Sequence, residues 1–442
     1  MDISVIGCGY LGAVHAAGLA ALGHDVVGID VDADKVARLS AGEAPFYEPG
    51  LRELLASATG SLRFTTDMTA AEGCTVHFVC VGTPQRPGEN AADVSHVESS
   101  VEMLAAHLRS GDVVVGKSTV PVGTAESLLV EVRAACPGAT LVWNPEFLRE
   151  GHAVRDTLHP DRLVFGLAED DAPDHARSVL REVYARPIAE GVPVIETDLA
   201  TAQLVKAAAN SFLATKISFI NAMAEVCEAS GGDVVRLAEA IGHDTRIGPQ
   251  FLRAGLGFGG GCLPKDIRAF MARAGELGAD QALAFLREVD AINLRRRVRM
   301  VDLARAECHG SIVGRRIAIL GAAFKPDSDD VRDSPALSVA AQMSLQGAEV
   351  VVTDPQAIDN ARRRWPDLKY AFTPEEAATG ADLVLLLTEW REYVDLDPHE
   401  LGDLVRRRRV LDGRNVLDPD RWRGAGWTYR ALGRPLSDGR PV

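Results

Sequence analysis

Short, almost unbroken apolar runs at residues 3–6, 25–29, 76–81, 113–117 and 141–143 alternate with stretches whose apolar positions recur every three to four residues, at 12–22, 31–39 and 94–108. The runs read as strands and the periodic stretches as helices. Strands alternating with helices predict a parallel sheet covered on both faces, a doubly wound α/β domain ending near residue 200. Beyond it the pattern becomes helical. Leu204, Ala208, Phe212, Ile217, Ile220, Met223 and Val226 mark one face of a helix over 201–230. That length exceeds the usual globular helix, so it predicts an element shared by two domains and a surface suited to self-association. A second α/β unit starts near Arg315, with strands at 317–320, 349–353, 383–387 and 410–411 and a helix at 334–346. The predicted division is 1–200, 201–304 and 305–442.

Composition narrows the classes. The 442 residues are 47% hydrophobic and 25% charged, and 62 acidic against 47 basic side chains leave a formal charge of −15. That field repels a phosphate backbone, and the densest basic run, Arg406 to Arg409, is too short to reverse it, so no nucleic-acid partner is expected. No apolar stretch approaches the roughly 20 residues of a membrane span, and the N-terminus lacks a basic leader. The seven cysteines are scattered singly with no CxxC pair, which points to reduced thiols in the cytoplasm. The 11 histidines form no ligand-spaced cluster, so no metal is expected.

Gly7-Cys8-Gly9-Tyr10-Leu11-Gly12 follows the first strand and opens the first helix. Glycines at those positions permit a tight turn and let backbone N–H groups approach a pyrophosphate at the positive helix end. Asp30, at the end of the second strand, is placed to accept from a ribose, which favours NAD over NADP; Lys35 close by weighs the other way. The corresponding loop of the second α/β unit, Gly321 to Pro326, lacks the glycine spacing and offers Phe324 and Lys325, which suits a charged ligand such as a nucleoside diphosphate.

The most unusual segment is Gly257-Phe258-Gly259-Gly260-Gly261-Cys262-Leu263-Pro264-Lys265-Asp266. Its glycines leave Cys262 sterically open, and Pro264 reads as the first residue of a helix whose positive end, with Lys265, would lower a thiol pKa. The alternative is a structural glycine turn with an incidental cysteine. Lys206 and Asn210 lie four apart on one helix face, either steadying an oxyanion or forming a solvated stripe. Asn144-Pro145-Glu146-Phe147-Leu148-Arg149-Glu150 follows a strand at the edge where doubly wound sheets bind ligands, and its two carboxylates can handle protons or hydroxyls.

Taken in order, GCGYLG, APFYEPGL (44–51), FVCVGTP (78–84), KSTVPVGT (117–124), NPEFLREG (144–151), the 206–225 helix, RIGPQFLRAGLGFGGGCLPKD (246–266), AFKPDSDDVRDSP (323–335) and DGRNVLD (412–418) resemble the nucleotide-sugar 6-dehydrogenases of the UDP-glucose/GDP-mannose dehydrogenase family. The wording is nearer the UDP-glucose branch. The resemblance implies two Rossmann-like domains joined by the long central helix and a helical middle domain, and a homodimer formed through that helix. It implies a four-electron, NAD-dependent oxidation of UDP-glucose at C6 to UDP-glucuronate through a cysteine thiohemiacetal and thioester. Carried onto this chain, Cys262 is the nucleophile, Lys206 and Asn210 steady oxyanions, Asp266 and Thr119 position water, and Glu146 assists thioester hydrolysis. Gly7, Gly9, Tyr10, Leu11, Gly12, Asp30, Lys35, Thr83, Thr119, Glu150, Lys265 and Arg332 match cofactor contacts. Residues Glu146, Phe147, Leu148, Arg149 and Glu150, with Lys206, Asn210, Phe251, Leu252, Arg253, Ala254, Gly255, Gly259, Phe324, Lys325 and Arg414, match substrate contacts. Arg246 matches a residue supplied by a neighbouring subunit. Gly261 and Leu263 depart from the common Ser and Phe of relatives and bear on the sugar pocket. GDP-mannose, dTDP-glucose and UDP-N-acetylhexosamines are the competing substrates, and a two-electron hydroxyacid dehydrogenase or a nucleotide-binding sensor are the competing functions.

Overall fold

The computed structural model describes residues 1–168 and 173–435. It divides into two compact units, Met1–Ala209 with Arg268–Asp280, and Asn210–Ile267 with Gln281–Val442.

The first unit is built on one sheet of eight strands: β1 (Asp2–Ile6), β2 (Asp25–Ile29), β3 (Leu62–Thr65), β4 (Val76–Val79), β5 (Val113–Gly116), β6 (Thr140–Trp143), β7 (Leu163–Leu167) and β8 (Val194–Asp198). Their order is β3-β2-β1-β4-β5-β6-β7-β8. Every neighbouring pair is parallel except β6 and β7, which meet antiparallel at Trp143 and Gly166. The predicted doubly wound sheet is therefore present, extended by an edge that runs against the rest. Strands β4, β5 and β6 are buried along their whole length, which is why they read as continuous apolar runs. Alternate residues feed two separate cores: Val5, Phe78, Val115 and Phe165 pack with Leu19 and Leu180 on one face, while Val79, Val114, Leu141 and Val164 pack with Leu104 and Leu128 on the other. One polar array crosses this interior. Ser4 Oγ lies 2.8 Å from His77 Nδ1, and His77 Nε2 lies 3.4 Å from Asp112. All three residues are buried, so the array has no access to a substrate.

Three strands carried no readable signal. β3 is a half-exposed edge, Leu-Arg-Phe-Thr, and β8 is the polar edge Val-Ile-Glu-Thr-Asp. β7 is fully buried but stands alone after a turn-rich stretch, with no flanking periodicity to frame it.

The second unit carries a six-stranded, wholly parallel sheet: β9 (Arg316–Leu320), β10 (Glu349–Thr353), β11 (Lys369–Tyr370), β12 (Leu383–Leu386), β13 (Arg409–Asp412) and β14 (Thr428–Ala431). Its order, β11-β10-β9-β12-β13-β14, repeats that of β3 through β6 position for position. The order reverses beside β1 in one sheet and beside β9 in the other, and ligands of open α/β sheets bind at such points. The helix Leu199–Ser230 has 32 residues, about 48 Å at 1.5 Å per residue, and the first unit ends within it at Ala209.

Candidate functional site

In the first unit the turn after β1 has the geometry its glycines predict. Gly7 sits at φ 86° and its N–H donates to Ile29 O. A Cβ on Gly12 would lie 1.8 Å from Gly7 O, so the helix Tyr10–Ala21 can start this close to the strand only with glycine there. A Cβ on Gly9 would meet nothing within 4 Å, so the turn is open on that side. Open space beside the N-terminus of a twelve-residue helix fits a pyrophosphate. At the end of β2, Asp30 is buried; it accepts from Cys8 N at 2.7 Å and from Lys35 Nζ at 2.9 and 3.0 Å. Lys35 thus neutralises the acid rather than standing apart from it. Helix formation begins at Ala33, with Asp32 accepting from Lys35 N as its cap, two residues later than the periodicity suggests. Thr83 is buried and its hydroxyl donates to Thr119 O at 2.7 Å, which joins two of the expected cofactor positions across β4 and β5.

The loop after β6 is held from three sides. Glu146 Oε1 accepts from the N–H groups of Phe147 and Leu148, and Glu146 Oε2 lies 3.3 Å from Lys117 Nζ. Lys117 is itself buried and also donates to Asn144 Oδ1, which accepts from Tyr184 OH at 2.6 Å. Burial works against the charge on Lys117, but Glu146 and its other anionic neighbours outweigh that and keep its pKa above the ordinary value. The Phe147 ring lies between cations, 3.9 Å from the Arg162 guanidinium and 5.6 Å from Lys206 Nζ. Leu148 packs into the small core under this loop. Arg149 turns to solvent and pairs with Asp156 through two side-chain bonds, so its side chain is engaged away from the carboxylates. Glu150 is buried.

Two residues of this region were not singled out by sequence reasoning. Lys117 lies at the end of an apolar strand run, where a lysine reads as the strand's boundary. Glu48, buried in the loop between the helices Ala33–Ser40 and Leu51–Ser57, accepts from Tyr10 OH, from Gly151 N at 2.7 Å and from Ala153 N at 2.7 Å. No local pattern marks either partner.

In the second unit the cysteine loop leads into the helix Leu263–Glu276, so Pro264 is its second residue, one later than expected. Cys262 is exposed, whereas Cys8, Cys74, Cys80, Cys227 and Cys308 are buried. Asp266, on the first turn of that helix, is buried; it accepts from Asn210 Nδ2 at 2.6 Å and lies 2.7 Å from Lys265 Nζ. Lys206 and Asn210 are both buried, which removes the solvated-stripe reading. The glycines are needed by their neighbours: Cβ atoms would lie 2.4 Å from Asp333 O at Gly259, 2.8 Å from the Phe324 ring at Gly260 and 2.3 Å from the Arg332 guanidinium at Gly261. The glycine loop therefore brings Gly259, Phe324 and Arg332 together.

The stretch 251–255 is half-buried and irregular. Phe251 adopts φ 63°, Leu252 and Ala254 are buried, Arg253 is exposed, and Gly255 N donates to Asn221 Oδ1 at 2.9 Å. Arg414 clasps three loops through the carbonyls of Leu387, Gly257 and Phe324 at 2.7 to 3.3 Å. Lys325 lies 5.5 Å from the Phe324 ring. Arg246 is at the surface and, among the described residues, pairs locally with Asp244. The acid at the end of β10, Asp354, occupies the position that Asp30 holds after β2. It is buried at 1% exposure, with Oδ2 accepting from Ala322 N, Ala323 N and Trp390 Nε1 and Oδ1 from Gln356 N and Ala357 N.

Three segments match family descriptions in order: residues 1–188 match the UDP-glucose/GDP-mannose dehydrogenase family, NAD binding domain, residues 200–295 its central domain and residues 318–419 its UDP binding domain. A UDP-glucose 6-dehydrogenase of Rhizobium meliloti (strain 1021) is 42% identical over 440 residues, covering 98% of this chain and 100% of that protein. A UDP-glucose 6-dehydrogenase of Pseudomonas aeruginosa is 39% identical over 451 residues, with 98% of each chain covered. Among solved structures, a UDP-glucose dehydrogenase from Pyrobaculum islandicum superposes with a TM-score of 0.88 at 38% identity, covering 98% of both chains. A UDP-D-ManNAc dehydrogenase from Pyrococcus horikoshii gives 0.85 at 25% identity, covering 98% of this chain and 99% of that one.

Proposed function

The chain belongs to the UDP-glucose/GDP-mannose dehydrogenase family, and on that premise we propose that it oxidises UDP-glucose to UDP-glucuronate, with two NAD reduced per sugar. The observation that carries the reading is the exposed Cys262, in a glycine loop at the head of a helix whose first turn holds the buried Asp266–Asn210 pair. A simple two-electron dehydrogenase has no use for a nucleophilic thiol, and neither has a sensor.

Bound NAD accepts a hydride in each of the two oxidations. The C6 alcohol becomes an aldehyde, the Cys262 thiolate adds to it, and loss of a second hydride from the thiohemiacetal gives a thioester. Water then cleaves the thioester, returning the thiolate and releasing the uronate; UDP-glucose, two NAD⁺ and water yield UDP-glucuronate, two NADH and three protons. Lys206 and Asn210 hold the oxyanions, since an ammonium and an amide N–H stabilise charge that develops on oxygen. Asp266 and Thr119 place the water, and Glu146, backed by Lys117, takes its proton. The turn Gly7–Gly12 with Asp30, Lys35, Thr83, Glu150, Lys265 and Arg332 holds the dinucleotide. Residues 147–149, 251–255, Gly259, Phe324, Lys325 and Arg414 hold the nucleotide sugar.

The three functional parts are residues 1–200 for the dinucleotide, 201–304 for dimerisation and 305–442 for the UDP group. Phe212, Phe219 and Val226, spaced by seven on the long helix and 66%, 49% and 56% exposed, form an apolar stripe that a second copy covers. The surface position of Arg246 suits a residue that serves the partner's site. Among the described residues no helix is long and apolar enough to cross a membrane, and we place the reaction in the cytoplasm.

The test is the NADH released per sugar with limiting UDP-glucose. A ratio of two with UDP-glucuronate as product supports the thioester route. A ratio of one sinks it, and no NADH from UDP-glucose but turnover of GDP-mannose, dTDP-glucose or a UDP-N-acetylhexosamine reassigns the substrate.

A further inference from the structure

The segment Ala44-Pro45-Phe46-Tyr47-Glu48-Pro49-Gly50-Leu51 belongs to neither ligand loop, yet it touches both. Its Phe46 ring packs 4.6 Å from the Tyr10 ring, and Tyr10 is the residue after Gly9 in the dinucleotide turn. Its Glu48 accepts from Tyr10 OH with one oxygen, and that oxygen also accepts from Gly151 N, the residue after Glu150. Gly151 N lies 3.1 Å from Tyr10 OH as well, which closes a three-membered ring of polar contacts. The second oxygen of Glu48 accepts from Ala153 N. A carboxylate that is 6% exposed loses its hydration, and here three donors replace it, one on the loop that carries Glu146 and Glu150 and one at the first residue of the helix Ala153–Leu158 that follows it. Burial and then the neighbouring Glu48 raise the Tyr10 phenol well above its ordinary pKa, so it remains a donor throughout the neutral range.

We propose that Glu48 is a positioning residue that couples the two ligands: seating the dinucleotide on the Gly7–Gly12 turn fixes Tyr10, and Tyr10 through Glu48 fixes the 146–151 loop for the nucleotide sugar. This rests on the assignment of those two loops under Proposed function. The coupling is reciprocal, because any factor by which NAD tightens the sugar nucleotide is the factor by which the sugar nucleotide tightens NAD.

Binding of UDP-glucuronate, the fully oxidised sugar nucleotide, is titrated calorimetrically with and without saturating NAD, a pair that cannot turn over. In the native protein NAD is expected to tighten UDP-glucuronate about tenfold. Glu48→Gln puts an amide N–H against one set of donors, and Tyr10→Phe removes a single hydroxyl while leaving Gly151 and Ala153 bonded to Glu48. Both are expected to bring the factor to about one, with Tyr10→Phe keeping the native melting temperature. A native protein without coupling, or a Tyr10→Phe protein that keeps the full factor, overturns the proposal and leaves Glu48 a structural brace. If the native protein binds neither ligand, the nucleotide-sugar reading falls and takes this one with it.

Discussion

Asn210 Nδ2 donates to Asp266 Oδ2 at 2.6 Å with both side chains buried. The amide thereby has a fixed orientation, and on the proposed mechanism its other N–H serves the oxyanion. Asp266→Ala frees the amide to rotate and leaves it unsatisfied. The expected result is a fall in kcat of about a hundredfold, the scale seen when one oxyanion donor is lost, with NAD affinity within about twofold of native. Steady-state kinetics with an NAD titration check it; a native kcat would remove Asp266 from the chemistry.

Thiol chemistry should set Cys262 apart from the five buried cysteines. Burial raises the Cys80 thiol to about 12 and the Cys74 thiol to about 11, and raises Cys8, Cys227 and Cys308 as well. A raised thiol pKa means less thiolate at a given pH, so these groups stay protonated at about pH 8, where iodoacetamide needs thiolate. Mass spectrometry of briefly alkylated protein is expected to find Cys262 labelled at least about tenfold faster than these five. Cys262→Ser should abolish full turnover.

The second and third glycines of the dinucleotide turn, Gly9 and Gly12, should respond differently. Gly12→Ala forces a methyl to 1.8 Å from Gly7 O, so loss of folded protein or a large fall in melting temperature is expected. Gly9→Ala meets nothing within 4 Å, so its melting temperature should stay native. Its methyl would occupy the space a pyrophosphate needs, and the KM for NAD should rise about tenfold, a loss of about 1.4 kcal/mol. Thermal melts beside NAD kinetics separate the two outcomes.

Asp112 makes stability depend on pH. Burial alone would raise its carboxyl, but the His77 ring 3.4 Å away and the hydrogen bond from Arg109 N more than offset that and hold it below the ordinary carboxylate range. A depressed carboxyl contributes stability that is fully present above its unfolded pKa of about 3.9 and is lost as pH falls through the folded value. Asp112→Asn should therefore lower the melting temperature at neutral pH, by about 3 °C for each kcal/mol lost, and the gap to native should close below about pH 4. A gap that is constant from pH 7 to pH 3 would refute this.

Legibility in the sequence followed the locality of each feature. The turn Gly7–Gly12, Asp30 at the end of β2 and the loop before Cys262 are short-range patterns, and the structure brings their residues together within each unit as the spacing suggests. Strand limits came within a residue or two wherever a buried strand was framed by a readable helix, as at β4, β5 and β6, whereas the equally buried β7 lacked that frame. β3 and β8 escaped because edge strands need no apolar run, and β11 is only two residues long. Glu48 and Lys117 escaped for another reason: Glu48 acts on partners 38 or more positions away and Lys117 on Asn144, 27 positions away, and on Glu146, and a buried charge leaves no trace in periodicity when its counter-groups are backbone N–H or a distant carboxylate.

The matched strand orders of the two sheets have a practical consequence at Asp30 and Asp354. In the first sheet the outward lone pairs of the acid are covered by Lys35, a flexible side chain that can swing aside for an incoming hydroxyl. In the second, four backbone N–H groups and one indole N–H hold Asp354, and the four backbone donors cannot leave without unwinding the loops that carry them. Grafting glycines on to the loop after β9 would thus not turn the second sheet into a dinucleotide carrier. A designer would first have to unlock that carboxylate, at the expense of the loop bearing Phe324 and Lys325.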